Sequence, residues 1–400
     1  MHAGSAARPP GAGGPATLVV AGVSVRTLAE SARLAGWRVT ALDLFGDRDT
    51  RRASQRWRPI GSAETLAIEP RPLFAALRAA AAEPGVMGWV AGSGFEAAPQ
   101  WLQEGAALLP LLGMAGEAVA ALRDARHFFA TLDRLGLAHP VVAFAPPADP
   151  AGWLLKQSGG SGGWHIRHAA HGAGHAPAAA PADAYWQRLQ CGTPMSALFL
   201  ADGRSARVLA LNRLLVRPLQ GHPMVYCGAV GPIADAALQQ RVQHALDALV
   251  PAFALRGLAS LDFIHADGGP WLLEINPRPS ASMQLHEHTV AGGLLQAHVR
   301  ACAGALPAAG RPTEGVRGHR IVFAAQACEA GAALVEALDR DAECHDVPAA
   351  PGGFERGQPV CSVSAQAHSA EAVEALLDQR RAQVLARLQL RTGAHQERVS

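Results

Sequence analysis

The chain has 400 residues, 49% of them hydrophobic and 17% charged, with 35 basic against 33 acidic side chains and a formal net charge of +2. That length exceeds one ordinary core and calls for two or three domains, and the apolar share excludes wholesale disorder. The balanced charge gives no electrostatic ground for a nucleic-acid or membrane-surface partner.

Residues 1–16, MHAGSAARPPGAGGPA, lack an apolar segment and read as a disordered tail. The next stretch reads as strand (Leu18–Val20), turn at Gly22, helix through Leu28, Ala32 and Ala35, and strand (Trp37–Leu42) with Asp43 near its end. This is the βαβ start of a parallel sheet, and only Gly22 stands where a dinucleotide fingerprint needs three glycines. A further strand is expected at Gly85–Ala91, followed by the loop GSGFE (Gly92–Glu96). Asp124–Leu135 has a helical apolar face of Phe128, Leu132 and Leu135.

A Pro/Ala-rich connector leads to the strand Trp153–Lys156 and the glycine-rich SGGSGG (Ser158–Gly163). Residues 165–183 favour neither regular element and are expected to form a mobile loop. SALFLADGR and ARVLALNRLLV predict a hairpin turning at Asp202-Gly203. A helix over Ala236–Ala252 precedes a second hairpin, Gly257–Ile264 and Trp271–Ile275, turning near Asp267-Gly268-Gly269. Strands at Gly318–Ala325 and Pro359–Ala365 and a long helix at Ala370–Leu390 close the chain. The expected organisation is a tail at 1–16, an α/β domain at 17–115, a flap-bearing subdomain at 116–184, a metal-bearing subdomain at 185–315 and a closing sheet with helix at 316–400. Six cysteines without a CxxC pair read as reduced thiols of a cytoplasmic protein. No apolar run approaches the ~20 residues needed to cross a bilayer.

Two segments carry chemistry. In LDFIHADGGPWLLEINPRPSAS, Glu274 and Asn276 are two apart on a strand and share a face, and Asp262 on the neighbouring strand can face the same side. Carboxylates plus an amide oxygen are hard ligands suited to magnesium (or manganese) shared with a nucleoside triphosphate. Arg278 follows, placed to neutralise phosphoryl charge. In WLLKQSGGSGGWHI a strand-terminal Lys156 precedes Gly159, Gly160, Gly162 and Gly163, whose backbone can wrap phosphates without Cβ interference. His165, His168, His171 and His175 are spaced three, three and four, but Gly172, Gly174 and Pro177 oppose the helix that would make them a zinc face, so a solvated flap is the expectation.

The order of these motifs resembles the ATP-grasp superfamily over about Thr17–Leu390. It is most similar to carboligases related to biotin carboxylase found with tetrahydromethanopterin-linked C1 genes, through GSGFE, QCGTPMSALFLADG, YCGAVGP, GLASLDFI and LLEINPRPSAS. The resemblance implies an α/β (α+β) fold with an N-terminal parallel sheet, an ATP-grasp core and a small C-terminal closing sheet. It implies ATP and Mg²⁺ as cofactors and a nucleotide hinge over Gln187–Gln190 in YWQRLQCGTP, where Gln187 and either Leu189 or Gln190 would meet the purine edge. Gln187 stands where many members carry Glu. Where biotin carboxylase has a nucleotide-binding lysine, this chain has Ala125 with Arg126 beside it, and Arg126 is the candidate substitute.

By analogy with tyramine–glutamate ligases of methanofuran synthesis, the expected activity is an ATP-dependent carboxylate–amine ligation through an acyl phosphate, on a small-molecule carboxylate and an amine. A bicarbonate-using carboligase and a catalytically silent nucleotide-binding protein are the alternatives. Ser93, Glu96, Arg213 and His286 are candidate substrate contacts, and a homodimer is the family-level expectation.

Overall fold

A computed structural model describes residues 15–172, 183–308 and 314–396. Most of the expected tail, and His175, lie outside the described residues. The N-terminal unit runs β1 (Thr17–Ala21), α1 (Arg26–Leu34), β2 (Arg38–Asp43), α2 (Arg48–Ala53), β3 (Arg56–Pro59), the short pair β4 (Gly61–Ser62) and β5 (Ala67–Ile68), α3 (Pro70–Ala81) and β6 (Val86–Ala91). Its sheet has the order β3-β2-β1-β6 and is parallel throughout, as the βαβ pattern requires. The apolar runs in β1 and β2 are covered on both faces, so Leu18, Val19, Val20 and Ala41 are all fully buried.

Three helices, α4 (Gln100–Leu108), α5 (Gly116–Arg123) and α6 (Ala125–Arg134), lead into the next sheet. Asp124 caps α6, accepting from the His127 N–H at 3.0 Å. A small sheet of β7 (Val142–Ala143), β8 (Trp153–Gln157), β9 (Arg167–His168) and β10 (Ala184–Arg188) has the order β7-β10-β8-β9. The expected loop at 165–183 therefore begins with a strand, because Arg167 and His168 pair with Leu155 and Leu154.

The large sheet contains β11 (Thr193–Asp202), β12 (Ala206–Leu219), β13 (His222–Gly231), β14 (Arg256–Ala266) and β15 (Gly269–Asn276), with α7 (Ala236–Phe253) after β13 and α8 (Leu294–Cys302) after β15. The C-terminal segment adds β16 (Val316–Phe323), β17 (Cys328–Ala330), α9 (Ala332–Asp339), β18 (Cys344–His345), β19 (Gly352–Phe354), β20 (Pro359–Ala367) and α10 (Ala370–Gln396). Pairing of β13 with β16 continues the sheet to the order β15-β14-β11-β12-β13-β16-β20-β18, while β17 and β19 pair separately.

β11 shows why the central strand reads as an unbroken apolar run. Ala197, Phe199 and Ala201 point into one core with Leu246 and Phe253 of α7, whereas Leu198 and Leu200 point into another with Leu258, Leu294 and Leu28 of α1. The second face is the one that continues into the functional site. No helix among the described residues is long and apolar enough to cross a membrane.

Candidate active site

The β14–β15 hairpin turns through Asp267 and Gly268, both at positive φ (49° and 72°), in the geometry that matches strand twist. A regular ladder from this two-residue turn would set Leu273 opposite Asp262 and send Glu274 to the other face. Instead the register shifts between Asp262 and Phe263: Phe263 faces Leu272, and Asp262 faces Glu274. The bulge at Leu273 brings both carboxylates to one side. Ser196 of β11 lies opposite Asp262, and Asn212 of β12 lies opposite Ser196, so a polar row crosses the sheet from Glu274 to Asn212.

Asn276 donates its Nδ2 to Asp262 Oδ2 at 3.0 Å. Burial, then the facing Glu274, pushes the Asp262 carboxyl up to about 7. Burial opposes ionisation of Glu274 too, but Arg123 and Lys156 outweigh it and hold its carboxyl below the ordinary value. Arg123, the last residue of α5, donates to Glu274 Oε2 at 3.1 Å. Two carboxylates and the Asn276 carbonyl oxygen are all hard donors and fit a magnesium-like cation. Among the described residues no group of three or more His, Cys, Asp or Glu is arranged for a metal.

Lys156 is 4% exposed and donates to Gln187 Oε1 at 3.1 Å, and it lies opposite Tyr185 in the β8–β10 ladder. The glycine-rich loop is docked over this point. Gly162 O accepts from the Tyr226 N–H at 3.0 Å, and a Cβ on Gly163 (φ +80°) would fall 1.8 Å from Met224 O. Trp164 packs edge-on against His222, ring centroids 5.1 Å apart. His165 departs from the expected solvated flap: burial, together with Lys156 and Arg123, lowers its imidazole to about 4 despite the nearby Glu274. Four buried polar atoms around this cleft have no partner: Arg123 Nε, Arg123 Nη2, His165 Nδ1 and Gln187 Nε2. Such donors are costly to bury unmatched, and they suit the acceptor oxygens of a nucleotide.

Other expected contacts fall differently. Arg126 is exposed and its guanidinium stacks 4.2 Å from the centre of the Phe144 ring, while Arg123, three residues earlier, reaches Glu274. The hinge candidates Leu189 and Gln190 are only partly covered; the Leu189 N–H already donates to Gly152 O, and Gln190 Nε2 to Cys191 O. Arg213 does not face the polar row. One residue beyond Asn212, it turns to the opposite face and pairs with Glu374 (3.0 Å) and Glu371 (3.3 Å) of α10. His286 is fully buried, its Nε2 against Asn212 Oδ1 at 2.6 Å, with burial lowering its imidazole to about 4. It braces the row rather than an open substrate face.

Glu96 accepts from the Gly94 N–H at 2.7 Å and from Arg278 Nε at 2.5 Å. Burial would raise its carboxyl, but Arg278 and then Arg123 hold it down to about 2. Glu96 and Arg278 line a narrow pocket with Phe95, Leu102, Met114 and Val119, between the N-terminal unit and the segment after β15. Ser93 belongs to the same loop but is tied through its carbonyl to the Val23 N–H. Arg123 and Asn212 are missing from the sequence reading, and His165 entered it only as part of a solvated flap. Arg123 lacked a motif, and only its place before the Asp124 cap could have marked it.

Residues 110–282 match the family model of the ATP-grasp domain. No curated protein sequence matches the chain. Among solved structures, biotin carboxylase from Campylobacter jejuni is similar at a TM-score of 0.67 and 14% identity, over 90% of this chain and 89% of that one. N5-carboxyaminoimidazole synthase from Aspergillus clavatus is similar at 0.67 and 14%, over 93% and 99%. L-amino acid ligase from Bacillus licheniformis is similar at 0.63 and 15%, over 92% and 97%. The chain therefore has the ATP-grasp fold, with an ATP-grasp domain across residues 110–282.

Proposed function

We propose that this protein is an ATP-dependent ligase that activates a carboxylate as an acyl phosphate and passes the acyl group to an amine. The observation that carries this reading is the convergence of Asp262, Glu274 and Asn276 with Lys156, Arg123 and His165, where four buried polar atoms await partners. Asp262, Glu274 and the Asn276 carbonyl would hold magnesium, which supplies charge neutralisation between phosphate oxygens. Lys156 would bind phosphate, and Gln187, with its free Nε2, would meet the nucleotide at the inner end of the cleft. A substrate carboxylate oxygen then attacks the γ-phosphorus, and the bond to the ADP oxygen breaks. The amine attacks the acyl carbon, phosphate leaves, and the amine's proton is released. Arg278, neutralised by Glu96 at rest, would orient the carboxylate. The docked flap would exclude water, which would otherwise hydrolyse the acyl phosphate.

The finer proposal is glutamate as carboxylate and a tyrosine- or tyramine-like amine, for a furan cofactor of C1 metabolism, in a cytoplasmic homodimer. It rests on the motif resemblance. Likeness to a biotin carboxylase and to an N5-carboxyaminoimidazole synthase favours a second reading, in which bicarbonate is the carboxylate. Release of ADP and phosphate from Mg-ATP, measured across carboxylates and amines with and without bicarbonate, separates them. Release that needs both an organic carboxylate and an amine supports the ligase. Release with bicarbonate and no organic carboxylate replaces it with the second reading, and silence across the panel counts against both.

A further inference from the structure

We infer that Ser196, Asn212 and His286 are positioning residues that hold Asp262 in its metal-facing orientation, so that groups which never touch the ion help to set its affinity. This rests on the magnesium-ATP reading above and adds three side chains behind it. On the face of β11 and β14 that leads to the cleft, Leu198, Leu200 and Leu258 are fully buried and apolar. The character changes at the level of Asp262. Ser196 faces it from β11, Asn212 faces Ser196 from β12, and His286 closes the end. These three are 2%, 0% and 0% exposed. Apolar side chains would fill the same space without the desolvation cost of polar groups, so sheet packing alone gives no reason for them.

Each link in the row has a direction. The Ser196 hydroxyl bonds the Asp262 carboxylate, and Asn276 Nδ2 donates to Asp262 Oδ2 at 3.0 Å, so donors reach it from both neighbouring strands. Ser196 has one proton and gives it to Asp262, which leaves its lone pairs to accept. The donor placed to meet them is Asn212 Nδ2, buried and unpartnered on the next strand.

His286 decides which end of that amide faces the row. Its Nε2 lies 2.6 Å from Asn212 Oδ1, and an amide oxygen only accepts, so the imidazole carries its proton on Nε2. A Cβ on Gly231 would fall 2.1 Å from the same oxygen, so the end of β13 is glycine where Oδ1 needs the room. With Oδ1 committed there, the donor end of the amide is left for Ser196. From His286 through Asn212 and Ser196, every group presents a proton toward Asp262, and such chains strengthen along their length. A carboxylate fixed in this way keeps its remaining lone pairs aimed at a cation.

Calorimetric titration with the non-hydrolysable triphosphate AMPPNP tests this, once with saturating magnesium and once in EDTA. The factor by which magnesium strengthens binding reports how well the site holds the metal with its nucleotide. In Ser196→Ala and in His286→Phe that factor is expected to fall about ten-fold, the low end of what losing a group behind a metal ligand costs. Affinity in EDTA should stay within about two-fold. His286→Gln, which returns an N–H donor, is expected to recover most of the factor, and a loss equal to that of His286→Phe would strike His286 from the chain. An unchanged factor in Ser196→Ala would overturn the inference. So would equal losses with and without magnesium, since the row would then only shape the sheet. If the wild-type protein binds AMPPNP equally in both conditions, the metal reading falls and the inference with it; if it binds no nucleotide, the ATP reading falls first.

Discussion

The β14–β15 hairpin and the glycine-rich flap face each other across one cleft, yet they are placed by different physics. The hairpin's side chains are set by register: the I′ turn, the bulge at Leu273 and pairing to β11 fix Asp262, Glu274 and Asn276 within a buried sheet. The flap is set by docking, through the Gly162–Tyr226 hydrogen bond, the close approach of Gly163 to Met224 and the Trp164 ring contacts. Register is cooperative with the whole sheet and difficult to undo locally. Docking depends on a few surface contacts and can open at small cost. In the proposed function the scaffold's half of the site would place charge and the flap's half would close over the nucleotide.

The largest expected effect breaks the scaffold half. Glu274→Gln keeps shape and burial but removes the charge opposite Asp262, and should lower ADP release by roughly 100- to 1,000-fold. The melting temperature should stay close to wild type; full activity would refute the role given to the hairpin. A smaller effect breaks the flap half. Gly163→Val puts a branched side chain where a Cβ already meets Met224 O, at a backbone φ of +80° that side chains rarely adopt. Turnover should fall about 10- to 100-fold with little change in global stability. An equally large loss of stability would mean the flap is part of the scaffold after all.

The smallest effect sharpens the scaffold side. Glu287 accepts from Ser31 Oγ and the Leu294 N–H, binding the segment after β15 to α1 and α8. Burial raises its carboxyl from 4.5 to about 7. The unfolded chain therefore gives up this proton first, and the site's contribution to stability is present below pH 4.5 and is lost as pH rises toward 7. Glu287→Gln cannot ionise and should gain on the order of 1–3 kcal/mol over wild type at pH 8 relative to pH 4. Parallel pH profiles in denaturant titrations would contradict this.

Much of the scaffold was legible in the sequence because period-2 alternation and Asp-Gly turns are local signals. Thr17–Ala21, Arg38–Asp43 and both hairpins fall close to their expected places. The carboxylate pair was legible as residues but not as geometry. The turn alone sends Glu274 to the wrong face, and a bulge is a property of two paired strands rather than of one. Arg213 shows the same limit, since a single position separates it from Asn212 on the cleft side. What the flap does with His165 was not legible, because it depends on space left by Gly160 and on Arg123 arriving from another element. The His165–His175 run looked like one feature in sequence, but it divides: His165 lies beside the carboxylate site, whereas His168 pairs with Leu154 in the β8–β9 ladder.

In the proposed reaction the γ-phosphoryl group passes to a substrate carboxylate oxygen before the amine attacks the acyl carbon. The direct test uses a carboxylate that supports ADP release, labelled with ¹⁸O in both carboxyl oxygens, with Mg-ATP and the amine, and weighs the released phosphate. One ¹⁸O atom in each phosphate is predicted, since the oxygen that attacks phosphorus leaves with it. Phosphate carrying no label would contradict the acyl-phosphate route and with it the roles given to Lys156, Glu274 and the flap.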